Sequence, residues 1–266
     1  MKIQNIFSVF IINVILFSTY YIFNLSKGEF DHKRIIDLRK NTLPLFLFSS
    51  ICYLPAVYFL KKLYPCNKDS RLLQQIHIIW NISLSIFSGI GFLILFNHII
   101  FHRYDCSLTV GITGKWITLF CLSKIPELMD TFFIILRGKP LISLQWFHHI
   151  ATLLLCWLGI YCYPLESLDA AVINYFIHFI MYAYFAFYDL GFTFLKNYNR
   201  YITYLQVLQM IYMTILISIR YNNDTIVCHF VSYKINHITG IAGLSIYAIY
   251  IILFGQLLLP KKRLRC

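Results

Sequence analysis

Charge is what this sequence has least of. Only 13% of its residues are Asp, Glu, Lys or Arg, about half the share usual in soluble domains. Acids are the scarcer sign, 11 against 23 bases. Glycine (11) and proline (7) are too few for a collagen-like or low-complexity chain. None of the eight cysteines stands in a Cys-x-x-Cys or similar metal spacing, so their number gives no framework. No Ala-x-Ala-like site follows the first apolar stretch, which argues against a cleaved signal peptide. What fills the 266 residues is apolar: 59% hydrophobic and 18% aromatic. A soluble core of this size has no room for so much, so the bilayer must take it. The sequence therefore predicts a polytopic, all-α integral membrane protein.

Apolar runs near the roughly 20 residues that a bilayer requires fall at about 3–24, 43–60, 76–98, 116–136, 146–163, 169–189, 201–219 and 238–259. Short connections join the later seven, so residues 31–266 read as one transmembrane domain. Residues 1–30 read as a separate hydrophobic segment, an anchor or an extra span. The stretch from Asp31 to Lys40 reads as an amphipathic interfacial helix.

A net charge of +12 would suggest nucleic acid in a soluble chain. In a membrane chain it reports topology, because cytoplasmic loops accumulate Lys and Arg. Lys61, Lys62, Lys68, Arg71, Arg137, Lys139, Lys196, Arg200 and the tail residues Lys261, Lys262, Arg263 and Arg265 fall on one side. Arg103, Lys115, Arg220 and Lys234 fall on the other. The first set is expected to be cytoplasmic, the C-terminus with it, and no nucleic acid partner is expected. Lys27, Lys33, Arg34, Arg39 and Lys40 run against that rule. Asn223-Asp224-Thr225 then becomes a lumenal glycosylation acceptor. Cys106, Cys162 and Cys228 share that side, where a Cys106–Cys228 disulfide would suit an oxidising compartment.

Ionisable groups inside hydrocarbon cost roughly 2.5–3.5 kcal/mol each on insertion scales, so they are suspects for function. Glu127 and Asp130 are the acids deep within a span, and Lys124 shares it. Spacings of three and four place Lys124, Glu127, Asp130 and Thr131 on one helical face. That face is either part of a site or an ion-pair network that locks helix packing. Gln145-Trp146-Phe147-His148-His149 opens the next span. Two adjacent histidines diverge by about 100° on a helix, so both face inward only where the interior is wide or polar. Asn174, His178, Met181, Tyr182 and Phe185 share a face of the following span. Gln206 and Gln209 sit three apart on the next, a spacing that also serves interhelical hydrogen bonding. Four spans each bring one polar face, which predicts a bundle around an enclosed, water-poor cavity walled by Phe, Tyr and Leu.

Over roughly residues 30–266 these motifs, in this order, resemble the ELO family of fatty acid elongases. Lys124, Glu127, Asp130 and Thr131 match its KxxExxDT pattern. Asn174, His178, Met181, Tyr182, Tyr184 and Phe185 match NxxxHxxMYxYY, with Phe in place of the last Tyr. Thr203, Gln206 and Gln209 match TxxQxxQ. The family's HxxHH box is altered: Gln145 occupies the first histidine position, while His148 and His149 remain.

The resemblance implies seven transmembrane helices around an acyl tunnel and an endoplasmic reticulum location. It implies condensation of a long-chain acyl-CoA with malonyl-CoA, with no metal and no further cofactor. His148 is then expected to accept the acyl group, with His149, His178 and Asn174 as the other catalytic candidates. Lys124, Glu127, Asp130, Gln145, Tyr182, Gln206 and Gln209 would form a supporting polar network. Arg137, Lys139, Lys196 and Arg200 are CoA-phosphate candidates by side alone. Membrane lipid, the other enzymes of the elongation cycle and a second copy of the chain are the expected partners. Two other classes remain open at this point. A di-iron desaturase or hydroxylase would share the histidines, although no predicted span carries a Glu-x-x-His pair. A seven-helix transporter would share the intramembrane charges.

Overall fold

The computed structural model describes residues 30–64, 70–101, 111–162, 166–222 and 233–259. The N-terminal segment 1–29, Cys106, Cys228, the Asn223 acceptor and the basic tail lie outside the described residues. Among the described residues every regular element is helical: α1 (His32–Leu63), α2 (Arg71–Phe101), α3 (Gly111–Ser123), α4 (Met129–Leu136), α5 (Ser143–Cys162), α6 (Glu166–Asp189), α7 (Asn199–Asn222) and α8 (Tyr233–Leu258). Short 3₁₀ turns at Pro126–Leu128 and Thr193–Tyr198 precede α4 and α7. Lys40–Leu63, Arg71–Phe101, Ser167–Asp189, Thr193–Ile219 and His237–Leu258 are long and apolar enough to cross a membrane. The chain is a multi-pass membrane protein.

The helices divide into two compact units. The first holds α1, α3, α4 and α5, with α1 packed on α4 and α5, and α3 on α5. Asp31 starts α1 as its N-cap, accepting from the Arg34 backbone N–H at 2.8 Å. Neither Gly nor Pro follows until Pro44, so the expected interfacial helix is not separate. It continues without a break into the first described span. Lys61 and Lys62 lie in the last turn, where cations complement the helix dipole.

The span expected over 116–136 is broken. Pro126 has no N–H to give and its ring crowds the carbonyl four residues back. The backbone tightens instead: Ile125 N–H reaches Leu122 O at 3.2 Å and Leu128 N–H reaches Ile125 O at 3.2 Å. The single helical face expected for Lys124 to Thr131 is thus replaced by a 3₁₀ turn between two helices. Gly138, at φ 65°, closes α4 in the left-handed region that glycine tolerates. Its neighbour Lys139 donates back to Ile134 O at 2.9 Å, the 6→1 bond of a helix C-terminal motif.

The second unit holds most of α2 with α6, α7 and α8. Helix α2 is built inside out relative to a soluble helix. Asn81, Ser85, Ser88 and Gly91 are buried, while Ile79, Ile82, Ile86, Ile90 and Leu93 face outward. Small and polar residues let helices approach within a bilayer, and lipid tails receive the apolar side. The approach is closest at Gly91, where a Cβ would stand 2.6 Å from the Tyr175 ring of α6. Ser85 adds a side-chain tie, its hydroxyl donating to Phe179 O at 2.9 Å. Helices α7 and α8 pack together, and Met213 of the one and Tyr250 of the other are nearly inaccessible.

Candidate functional site

The 3₁₀ turn at Pro126 places the first cluster. Three residues complete a 3₁₀ turn, so residues three apart eclipse one another. Lys124 therefore stands over Glu127, with Nζ donating to Oε1 at 2.8 Å and to Oε2 at 3.0 Å. Ser123 Oγ donates to the same Oε1 at 2.9 Å. The Lys124 ammonium also lies 4.4 Å from the centre of the Phe120 ring, within cation–π range. Both charged residues are only 3% exposed. Burying either ion alone would cost several kcal/mol, and mutual charge and hydrogen bonds offset part of that cost.

Thr131 turns elsewhere. Its hydroxyl shares a 2.7 Å hydrogen bond with Tyr53 OH of α1, and both residues are fully buried. Asp130 is half-buried in the first turn of α4, where the dipole favours a carboxylate. Tyr53 and Ser123 carry no motif that singles them out. Their only signal is general: a buried hydroxyl needs a partner.

Helix α5 carries the histidine pair in its second turn. His149 is buried and His148 half-buried. Their rings meet edge to face, centroids 5.6 Å apart and planes at 80°. Gln145, one turn earlier, sets its amide Nε2 3.0 Å from His149 Nε2.

In the second unit Asn174, His178 and Tyr182 are buried along α6 at intervals of four. The His178 and Tyr182 rings are T-shaped, with centroids 5.3 Å apart. The buried row follows this i+4 ridge on to Ala186, and such a ridge is inclined to the helix axis. Phe185, expected on the same face, is left behind and is 41% exposed. Gln206 of α7 donates to Met181 Sδ at 3.3 Å, and Gln209 is buried.

Of the expected CoA-phosphate ligands, Lys139, Lys196 and Arg200 are exposed. Arg137 departs from a loop cation: it is only 7% exposed at the end of α4. A polar cluster that no motif marks lies on α2 and α6. His77 Nδ1 is 2.6 Å from Asp189 Oδ2, Gln74 Nε2 donates to Asp189 O at 2.7 Å, and Asn81 Nδ2 donates to His77 O at 2.8 Å.

Residues 38–261 match the profile of the ELO: GNS1/SUR4 family. The chain is 31% identical over 253 residues to very long chain fatty acid elongase 6 of Drosophila melanogaster, covering 89% of this chain and 77% of that protein. It is 28% identical over 254 residues to fatty acid elongase 3 of Trypanosoma brucei brucei, covering 79% and 80%. Fatty acid elongase 1 of Trypanosoma cruzi is 36% identical over 157 residues, covering 53% and 54%. A match that runs from within α1 to the end of α8 makes this chain a member of the ELO family of fatty acid elongases.

Proposed function

We propose that the chain catalyses the condensing step of fatty acid elongation, joining a long-chain acyl-CoA to malonyl-CoA. The observation that supports this most is the family match over residues 38–261 together with the burial of the motif residues Lys124, Glu127, His149, Asn174, His178 and Tyr182. Acyl transfer with a carbanion-like partner needs a nucleophile and a group that holds developing negative charge.

A nitrogen of His148 attacks the thioester carbonyl, and the carbon–sulfur bond breaks to release CoA. The imidazole proton leaves with the thiolate, and the acyl group stays on His148 as an acyl-imidazole. Neutral imidazole suits this role, since its ordinary pKa lies near 6.5. Malonyl-CoA then loses carbon dioxide to give an enolate. The enolate carbon attacks the acyl carbonyl, the bond to His148 breaks as its nitrogen takes up a proton from solvent, and 3-oxoacyl-CoA leaves with His148 neutral again. His178 and Asn174 hydrogen-bond the developing oxyanion or enolate, and His149 orients or exchanges a proton with the reacting groups.

Seven membrane crossings around an enclosed acyl tunnel, an endoplasmic reticulum location and a cytoplasmic C-terminus belong to the same proposal. So do Lys139, Lys196 and Arg200 as contacts for CoA phosphates, and a homo-oligomer. The 3-oxoacyl product calls for reductase and dehydratase partners. Membranes expressing the chain, given acyl-CoAs of graded length and labelled malonyl-CoA, should yield products two carbons longer. Absence of labelled product at every length would overturn the proposal.

A further inference from the structure

Gln145 and His149 lie four residues apart on α5, and their side chains meet at 3.0 Å between the amide Nε2 and the imidazole Nε2. An amide nitrogen only donates. His149 Nε2 is then the acceptor, and the proton of the neutral ring sits on Nδ1. That lone pair is taken up within the helix and is not open to a proton from a reacting group. An amide also has no proton to lose. A histidine in the same place would add a titratable group. His148 shows the edge-to-face contact with the His149 ring, so fixing one ring also fixes the wall against which the other stands.

We propose that Gln145 is a positioning residue: it engages Nε2 of His149, sets that ring's tautomer and leaves His148 as the reactive imidazole of the adjacent pair. This rests on the reading of His148 as the acyl acceptor, and it narrows the role of His149 from proton exchange to orientation.

Nitrogen-15 spectra of the full-length, histidine-labelled chain in lipid test the tautomer directly, with His149 assigned by difference against His149→Ala. The wild type should carry its His149 proton on Nδ1. Gln145→Glu, which only accepts, should move that proton to Nε2. The same tautomer in wild type, Gln145→Ala and Gln145→Glu would overturn the proposal.

The rate of CoA release from acyl-CoA alone provides the functional readout. Gln145→Ala and Gln145→Glu should each lower it about tenfold, the scale of one lost or inverted hydrogen bond, with thermal stability kept in the Glu variant. Gln145→His should restore the rate and make it pH-dependent. Unchanged rates and pH profiles in all three variants would contradict the assignment. Should the wild type release no CoA from acyl-CoA alone, the acyl-histidine reading falls, and the tautomer spectra still decide the role of Gln145.

Discussion

Nδ1 of His77 stands 2.6 Å from Oδ2 of Asp189, across 112 residues of sequence. The contact ties the first turns of α2 to the last residue of α6. Gln74 secures the same end through the Asp189 carbonyl. Helix α6 carries Asn174 and His178, so within the second unit the tie holds the register of the helix that bears these two motif residues.

Removing one partner should therefore destabilise the second unit. Asp189→Ala leaves His77 without its carboxylate and should cost about 1–3 kcal/mol, the range for a buried polar group deprived of its partner. Asp189→Asn keeps a hydrogen-bonding side chain and should cost less. Thermal unfolding of purified protein in one detergent reads the difference, and equal losses for both variants would mean that the contact contributes nothing specific.

The Lys124–Glu127 pair predicts a pattern rather than a single value. Lys124→Met or Glu127→Gln alone removes one member of a buried ion pair and should cost about 3–5 kcal/mol. Lys124→Met combined with Glu127→Leu removes both charges and should recover much of that loss. Yield of folded protein and unfolding temperature report the order. A double variant worse than either single would show that the ions are held for another reason.

Tyr53 and Thr131 make the neutral counterpart of this test. Tyr53→Phe strips the Thr131 hydroxyl of the 2.7 Å bond it makes to α1. The expected loss is about 1–3 kcal/mol. Adding Thr131→Val removes the stranded group, and stability in the same thermal assay should rise toward wild type.

Gly91 is required by close approach rather than by backbone conformation. A methyl group there would meet the Tyr175 ring at 2.6–2.8 Å. Gly91→Ala should cost about 1–3 kcal/mol, the usual scale for overpacking. Pairing it with Tyr175→Leu should relieve the clash. An unaltered unfolding temperature for Gly91→Ala would mean that α2 and α6 separate more easily than the packing implies.

Much of the fold was legible because the bilayer imposes a length. The apolar runs at 43–60, 76–98, 169–189 and 201–219 fall within segments long enough to cross it, and the run at 238–259 ends one residue past such a helix. The broken span at Pro126 was less so. Periodicity placed Lys124, Glu127, Asp130 and Thr131 on one face. The proline turned the backbone to three residues per turn there, which kept the Lys124–Glu127 pair and sent Thr131 to Tyr53. Contacts such as His77–Asp189 and Tyr53–Thr131 join residues 112 and 78 apart. No local pattern encodes them, because helix packing alone brings the partners together. The spacing of Gln145 and His149 is visible in the sequence, but the nitrogen that is engaged depends on rotamers.

The central claim is that His148 carries the acyl group, and one measurement addresses it most directly. Purified full-length protein is mixed with a long-chain acyl-CoA in the absence of malonyl-CoA, and free CoA is counted against protein. Release approaching one CoA per chain, with acyl mass retained on the peptide containing His148 and both lost in His148→Ala, is the predicted result. No release from the wild type, or full condensation by His148→Ala, would contradict the account.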